Sequence, residues 1–361
     1  MTGWRQLYEK LTRFIAEHPE VEINETFVSI PGNVRPEFYR LFDKVRMAFL
    51  EERFPNLLDE ARLLSDSYVK VEHEVVRVLK LEGISMSTKL HMFLHDPKNA
   101  LMRELFDPLF HLLRGKIDVK TFEEEQSQNI ENSFRNLYRA GYERWVALSL
   151  VKLLEADRNF SLSIPFPSIR KIVHALGSKR PAPSPRESKV LSLEHEIPQV
   201  FIVPNFIVHS AKVDRYVAIG LEIGIGTAMW TASKVSERRE WYPLKSIREK
   251  YSLVDLKPDM IICADERPED VALIADSERI CRPDLIIECM EQEDWYEKGD
   301  LERAKLHHNV LRPRLGTFIV SRKPVPEQVH EKLGDGIHLL TVGFDQSKLA
   351  PIINALTCHG E

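Results

Sequence analysis

Cysteine is scarce in this chain of 361 residues, and no stretch of it is apolar for long enough to span a membrane. The four cysteines, Cys263, Cys281, Cys289 and Cys358, show no CxxC spacing, so we expect them to be reduced thiols. A bilayer-spanning helix needs roughly 18 consecutive apolar residues, and the N-terminus has no apolar signal-peptide core. These absences predict a cytoplasmic protein with no membrane partner.

The chain also lacks an excess of positive charge. Its 50 Lys and Arg residues are outnumbered by 55 Asp and Glu residues, and its formal net charge is -5. This charge argues against a basic coat for non-specific nucleic-acid binding, but it leaves room for a local basic groove. Hydrophobic residues make up 43% of the chain, which is enough to form cores in about two domains.

The apolar pattern changes along the chain. In the first half, hydrophobic residues recur at helical spacing, and Thr121 to Glu124 has the spacing of a capping box that opens a long helix. In the second half, short runs rich in Val and Ile alternate with helical segments at roughly 25-residue spacing, which is typical of crossover units. The predicted fold is an all-α N-terminal domain plus an α/β C-terminal domain with a mixed, largely parallel sheet and flanking helices.

A proline-rich segment separates these two patterns. Three prolines stand between residues 181 and 185 and cannot continue a helix. The sequence therefore predicts a helical domain at 1–176, a linker at 177–196 and an α/β domain at 197–361. We expect the helical domain to serve assembly, through a protein partner or a second copy of the chain.

Carboxylates mark two of the predicted strands. One apolar run ends in Asp265, and another carries Asp284 and Glu288, which share a face because they are four residues apart. Ligands of open α/β sheets bind outside the carboxyl ends of strands, so Asp265 and Glu288 are expected near each other if their strands are neighbours. Such a cluster suits Mg²⁺ or Mn²⁺. The alternative is that acids such as Asp265 and Asp294 cap the helices that follow them.

Two segments resemble a nuclease family. Pro258-Asp259, followed by the run Leu285 to Met290, resembles the pattern of the PD-(D/E)xK superfamily, which includes restriction endonucleases and DNA-repair nucleases. A helix and a strand follow in that pattern, here Leu301–Leu311 and Gly316–Ser321. The resemblance implies a Mg²⁺-dependent or Mn²⁺-dependent phosphodiesterase that acts on or binds nucleic acid.

The same resemblance implies the residues of the site. Asp259 and Glu288 are the implied metal-binding acids, with Asp284 as an alternative first acid and Glu222 as an acid supplied from upstream. The position of the family's lysine holds Met290, so Lys305 on the following helix is the candidate for a migrated amine. Without such an amine the hydroxide nucleophile is less well stabilised, and the domain is expected to be degenerate.

A glycine-bearing segment supports a competing hypothesis. The string from Leu221 to Thr227, with Gly224 and Gly226, resembles the first motif of class I S-adenosylmethionine-dependent methyltransferases. The resemblance implies a strand, a glycine loop and a helix over Tyr216–Lys234, with both glycines against the cofactor. The alternatives are a twisted strand or hairpin at this position and, for the whole chain, a non-catalytic scaffold.

Two adjacent histidines, His307 and His308, lie on the predicted helix that ends at Leu311. Adjacent residues face about 100° apart on a helix, so at most one of them can point into a site as a metal ligand or general base. Because most histidines are at least partly exposed, a surface position is favoured for both.

Overall fold

The change of apolar pattern along the sequence corresponds to a change of architecture in the computed structural model. The structure describes residues 3–163, 179–194, 201–253 and 256–357. Helices dominate up to residue 153, and a mixed sheet with flanking helices follows. The predicted fold class is therefore confirmed.

The described residues form α-helices in both parts of the chain. They are α1 (Trp4–Glu17), α2 (Arg35–Arg53), α3 (Pro55–Leu79), α4 (Thr88–His95), α5 (Pro97–Glu104), α6 (Phe106–Leu113), α7 (Val119–Leu153), α8 (Leu244–Arg248), α9 (Asp300–Leu311), α10 (Glu327–His330) and α11 (Ala350–Thr357). The capping box predicted at Thr121 is wrong, because the backbone N–H of Thr121 donates to Oδ1 of Asp118 at 2.7 Å. Asp118 therefore caps α7 three residues earlier.

The described strands form one large sheet and four small two-stranded pairs. They are β1 (Glu22–Ile23), β2 (Val28–Ser29), β3 (Gly83–Ser85), β4 (Ala156–Ser163), β5 (Lys179–Arg180), β6 (Ser184–Glu187), β7 (Val190–Ser192), β8 (Phe206–Ser210), β9 (Arg215–Leu221), β10 (Thr231–Ala232), β11 (Trp241–Pro243), β12 (Met260–Asp265), β13 (Arg279–Cys281), β14 (Leu285–Met290), β15 (Thr317–Ser321) and β16 (Ile337–Thr341). The large sheet has the order β16-β15-β14-β12-β9-β8-β4-β6.

The type of strand pairing changes once across this sheet, from parallel to antiparallel at β14. β14, β15 and β16 are parallel neighbours, and α9 makes the crossover from β14 to β15. The remaining pairs, from β14–β12 out to β4–β6, are antiparallel. The sheet is therefore mixed, as expected, with its parallel pairing confined to the last three strands, and the direction of β12 becomes decisive for the site.

Contacts between Cα atoms divide the chain into two units. The helical unit comprises Met1–Val69 and Thr88–Gly141, and the sheet unit comprises Lys70–Ser87 and Tyr142–Glu361. These bounds differ from the predicted domains, because β4 and β6 belong to the large sheet. The predicted linker, 177–196, supplies β5, β6 and β7, while its residues 177, 178, 195 and 196 lie outside the described part of the chain.

Helix α9 packs against the sheet through two apolar clusters. Val310 and Leu311 join one cluster with Ile261 and Ile286. The other gathers apolar side chains around Met290 (Trp295, Leu301, Ala304, Ile319, Val329 and Ile337). This packing fixes α9 beside β14. None of the helices in the described ranges combines the length and the hydrophobicity needed to cross a bilayer.

Candidate functional site

Antiparallel pairing brings two of the predicted acids together. Met260 is opposite Ile287 in the β12–β14 ladder, so Asp259, just before β12, comes opposite Glu288. Residues directly opposite each other in an antiparallel pair point to the same face. Oδ2 of Asp259 accepts a hydrogen bond from the backbone N–H of Cys289 at 2.8 Å, and the carboxylate pair of Asp259 and Glu288 is 2% and 0% exposed.

The same direction of β12 separates Asp265 from Glu288. Because β12 and β14 are antiparallel, their carboxyl ends point in opposite directions along the strand axis. The prediction that Asp265 and Glu288 lie close together is therefore wrong. At the carboxyl end of β12, Asp265 forms an ion pair with Arg238, whose Nε lies 3.2 Å from Oδ1 of Asp265. Its Oδ1 also accepts from the backbone N–H of Glu266 at 2.8 Å, so it closes the end of the strand.

Asp284 is also apart from the carboxylate pair. It precedes Glu288 by four residues of strand, about 13 Å at the usual rise. Oδ2 of Asp284 lies 2.7 Å from Nη1 of Arg239, and Oδ1 lies 2.6 Å from Nε of Arg314. The backbone N–H of Ala264 donates to Oδ2 at 2.7 Å. Two guanidinium groups therefore compensate its charge, and it cannot share a cation with Glu288.

The predicted amine does not point to the pair either. Nζ of Lys305 lies 2.8 Å from Oε1 of Glu302, one turn earlier on α9, in an ion pair at the surface. Met290, at the position where the family has lysine, is 2% exposed within its apolar cluster. Lys305 thus remains a surface residue of α9 in this structure.

His307 is the one of the two adjacent histidines that points into the site. Its side chain is fully buried, and a hydrogen bond of 2.6 Å joins its Nδ1 to Oε1 of Glu288. The surface position favoured for this histidine is therefore wrong. The available signal was its spacing, since His307 continues the buried stripe of Leu301, Ala304 and Leu311 along α9. His308 points elsewhere, with Nδ1 at 3.0 Å from Oγ1 of Thr317.

The surroundings of Glu288 favour its protonated form. Burial raises the pKa of Glu288, and so does the negative charge of Asp259. The hydrogen bond and charge of His307 and the charge of Arg303 oppose this, but the net direction is upward. Oε2 of Glu288 is buried and has no hydrogen-bond partner among the described residues. A buried oxygen without a partner is costly, so this atom is available to a ligand.

Glu222 extends the carboxylate pair toward solvent. Its backbone N–H donates to the carbonyl oxygen of Asp259 at 2.8 Å, so it is next to that residue in the sheet. Glu222 has φ of 48°, a left-handed conformation that turns the chain out of β9. Its side chain is 40% exposed, and Oε1 lies 3.5 Å from Nη1 of Arg144. Exposure therefore falls along the row from Glu222 through Asp259 to Glu288.

The carboxylate pair offers a divalent cation two carboxylate groups, fewer than a fully caged site supplies. Within the described residues, no group of three or more His, Cys, Asp or Glu side chains is arranged to hold a metal. Mg²⁺, however, is usually bound through one or two carboxylates and keeps several waters. Asp259 and Oε2 of Glu288 are the carboxylate donors that the described residues bring together for such an ion, and Asp284 is not among them.

The glycine segment does not have the architecture that the methyltransferase resemblance implies. After β9, residues 222–234 form a 3-10 turn at Ile225–Thr227 and then β10, with no α-helix among these described residues. A Cβ atom at Gly226 would lie 2.9 Å from Cβ of Leu253, so this glycine permits close packing of the chain on itself. The strand expected at the start of Tyr216–Lys234 is present as β9, whereas the helix expected after the glycine loop is wrong.

The three described cysteines, Cys263, Cys281 and Cys289, are free and buried, whereas Cys358 lies outside the described residues. A hydrogen bond with Cys281, together with burial, raises the pKa of Cys263 well above its ordinary value, which keeps this thiol protonated and inert.

Comparison of the chain with protein-family models, with curated proteins and with solved structures finds no match.

Proposed function

We propose that the sheet unit carries a degenerate nuclease-like site of the PD-(D/E)xK type, which binds Mg²⁺ or Mn²⁺ at Asp259 and Glu288 and associates with nucleic acid. The observation that carries the proposal is the buried, unpartnered Oε2 of Glu288 beside Asp259. The order of elements also supports it, because β14 is followed by α9 and then by the parallel strand β15. This is the helix-and-strand sequence that the resemblance implies.

Each residue of the site has a distinct task in this proposal. Asp259 and Glu288 hold the ion, Glu222 presents the solvent-exposed end of the row, and His307 orients the Glu288 carboxylate by binding its other oxygen. A cation at this position would polarise a phosphodiester oxygen and lower the pKa of a bound water.

The absence of the family's lysine bears on whether the site can hydrolyse a phosphodiester. Met290 is packed among apolar side chains, and Lys305 is in an ion pair with Glu302. Neither offers an ammonium group to stabilise a hydroxide nucleophile at the pair. We therefore propose binding of metal and nucleic acid as the principal activity, with hydrolysis slow or absent.

A thermal-shift experiment tests the metal site. Mn²⁺ at about 100 times its Kd should stabilise the folded chain by about 2.7 kcal/mol, which is a rise in Tm of several degrees. The rise should disappear in Glu288→Gln and in Asp259→Asn. It should persist in Glu266→Gln, a matched control. The carboxylate of Glu266 is exposed and follows the carboxyl end of β12, whereas Asp259 precedes the other end of that strand.

The same experiment separates the competing hypotheses. An equal rise in wild type and Glu288→Gln would place the ion elsewhere and contradict the proposal. A rise with S-adenosylmethionine would favour a methyltransferase, and no rise with metal, S-adenosylmethionine or a short DNA duplex would favour a non-catalytic scaffold.

A further inference from the structure

The sheet unit has a concave feature whose lining includes neither Asp259 nor Glu288. It is a cavity of about 130 Å³ between the segment 242–251 and the C-terminal end of α9. Its lining residues are Tyr242, Ser246, Ile247, Lys250, Tyr251, Asn309, Val310 and Arg312. We call this feature the tyrosine cavity. Binding sites for whole small molecules usually exceed 300 Å³, so it admits one ring or one small group of a larger ligand.

The interior and the rim of the tyrosine cavity differ in chemistry. Ile247 and Val310 are 7% and 6% exposed and form an apolar wall. Tyr242 is half-buried, whereas Tyr251 is 39% exposed and stands at the opening. Aromatic faces of this kind stack on nucleobases of any sequence.

Two cations stand at the rim. Lys250 and Arg312 are exposed, and neither forms an ion pair with a carboxylate in the described residues. The neighbouring Arg282, in contrast, lies 2.9 Å from Oε2 of Glu240. Lysine and arginine without a carboxylate partner, placed beside aromatic rings, are suited to a phosphate group.

The backbone at Arg312 provides an independent argument. Arg312 ends α9 with φ of 48° and ψ of 58°, the left-handed conformation at which helices usually have glycine. Its carbonyl oxygen accepts a hydrogen bond from Nε of Arg282 at 2.6 Å, a contact that glycine would make equally well. A long cationic side chain at a position suited to glycine points to a role for that side chain.

We propose that the tyrosine cavity binds a nucleoside 5′-phosphate. The base enters between the tyrosine rings, where Ser246 and Asn309 can bond its edge, and the phosphate is held at the rim by Lys250 and Arg312. The ligand is either a free nucleotide or the phosphorylated 5′ end of a nucleic-acid strand, which share this chemistry.

Calorimetric titration with adenosine 5′-monophosphate, in the presence of EDTA, tests the proposal on the full chain. The nucleotide should bind at least tenfold more tightly than adenosine or inorganic phosphate alone. Lys250→Ala and Tyr251→Ala should each weaken binding about tenfold. Lys245→Ala, which changes an exposed lysine of helix α8 that does not line the cavity, should leave the affinity unchanged.

Arg312→Gly separates a binding role from a structural one. It should lower the affinity for the nucleotide about tenfold while the Tm stays the same or rises, because glycine suits the left-handed backbone. A fall in Tm of Arg312→Gly together with unchanged affinity for the nucleotide would overturn the proposal. For the wild-type chain, it would also be overturned if inorganic phosphate bound as tightly as the nucleotide, or if the nucleotide did not bind at millimolar concentration.

The source of the ligand is distinguished by a 5′-phosphorylated oligonucleotide and its unphosphorylated twin. Preference for the phosphorylated strand, lost in Arg312→Gly, assigns the cavity to strand ends, whereas binding of the mononucleotide alone assigns it to free nucleotides. Because EDTA removes divalent ions, this result is independent of metal binding at Asp259 and Glu288.

Discussion

Asp284 immediately precedes β14 and Glu288 lies within it, yet their surroundings give the two carboxylates opposite properties. Asp284 meets two guanidinium groups and a backbone N–H, so burial of its charge is compensated. Glu288 meets the negative charge of Asp259 and has one imidazole contact. The four-residue spacing of these two acids therefore does not predict how well the charge of each carboxylate is compensated. That depends on partners from distant segments of the sequence, such as Arg239 and His307.

The raised pKa of Glu288 leads to a prediction on stability against pH. The folded chain binds the proton of Glu288 more tightly than the unfolded chain, because burial and Asp259 penalise the charged form. This contribution to stability is complete below the ordinary pKa of 4.5 and is lost as pH rises through the raised pKa. Glu288→Gln stays neutral at every pH, so its free energy of unfolding should rise relative to that of wild type as pH increases.

Urea unfolding of both proteins from pH 4 to pH 9, with EDTA present to exclude metal, measures the difference. A difference in the free energy of unfolding that does not change with pH would contradict the pKa direction. A difference that moves in favour of wild type at high pH would show that His307 holds Glu288 ionised.

At the scale of elements, the sequence predicts position better than direction. Helix α9 begins and ends where its apolar spacing predicts, and the runs around Ile262 and Ile287 are strands. Both runs are apolar on both faces, however, and such a run has the same pattern whichever way it points. The prediction that Asp265 lies near Glu288 assumed that β12 and β14 are parallel. Because they are antiparallel, Asp259 is the acid that lies opposite Glu288.

The parallel pair β15–β16 depends on a close approach at Gly316. This residue has φ of 104°, and a Cβ atom there would lie 2.5 Å from the carbonyl oxygen of Gly336. The same oxygen accepts the backbone N–H of Thr317 at 2.8 Å, so it cannot move away without loss of that bond. Gly316→Ala should therefore lower the free energy of unfolding by about 2–4 kcal/mol.

Gly334→Ala is the matched control, because a Cβ atom there would make ordinary van der Waals contact, at 3.9 Å from Cδ1 of Ile337. Its effect on chemical denaturation should stay within about 1 kcal/mol. Equal losses in the two variants would contradict the importance of the close approach at Gly316.

At the scale of the whole molecule, prolines identify an edge of the sheet rather than a linker. Pro185 lies within β6, which is the last strand of the large sheet. A proline lacks the N–H of an inner ladder but is tolerated on an edge strand. A proline-rich segment that pairs on one side only resembles a linker in sequence, which explains why 177–196 was predicted as one.

This difference has a direct consequence for fragments of the chain. A fragment of residues 197–361 follows the predicted domain but lacks β4, the antiparallel partner of β8. The exposed edge of β8, with the apolar residues Phe206, Ile207 and Val208, should pair with other copies and aggregate.

A fragment of residues 142–361 keeps all eight strands of the large sheet and should be far less prone to aggregate, although it lacks β3, which pairs with β7. Size-exclusion chromatography and circular dichroism of both fragments measure this. A monodisperse, cooperatively unfolding 197–361 would instead show that the shorter boundary defines a domain.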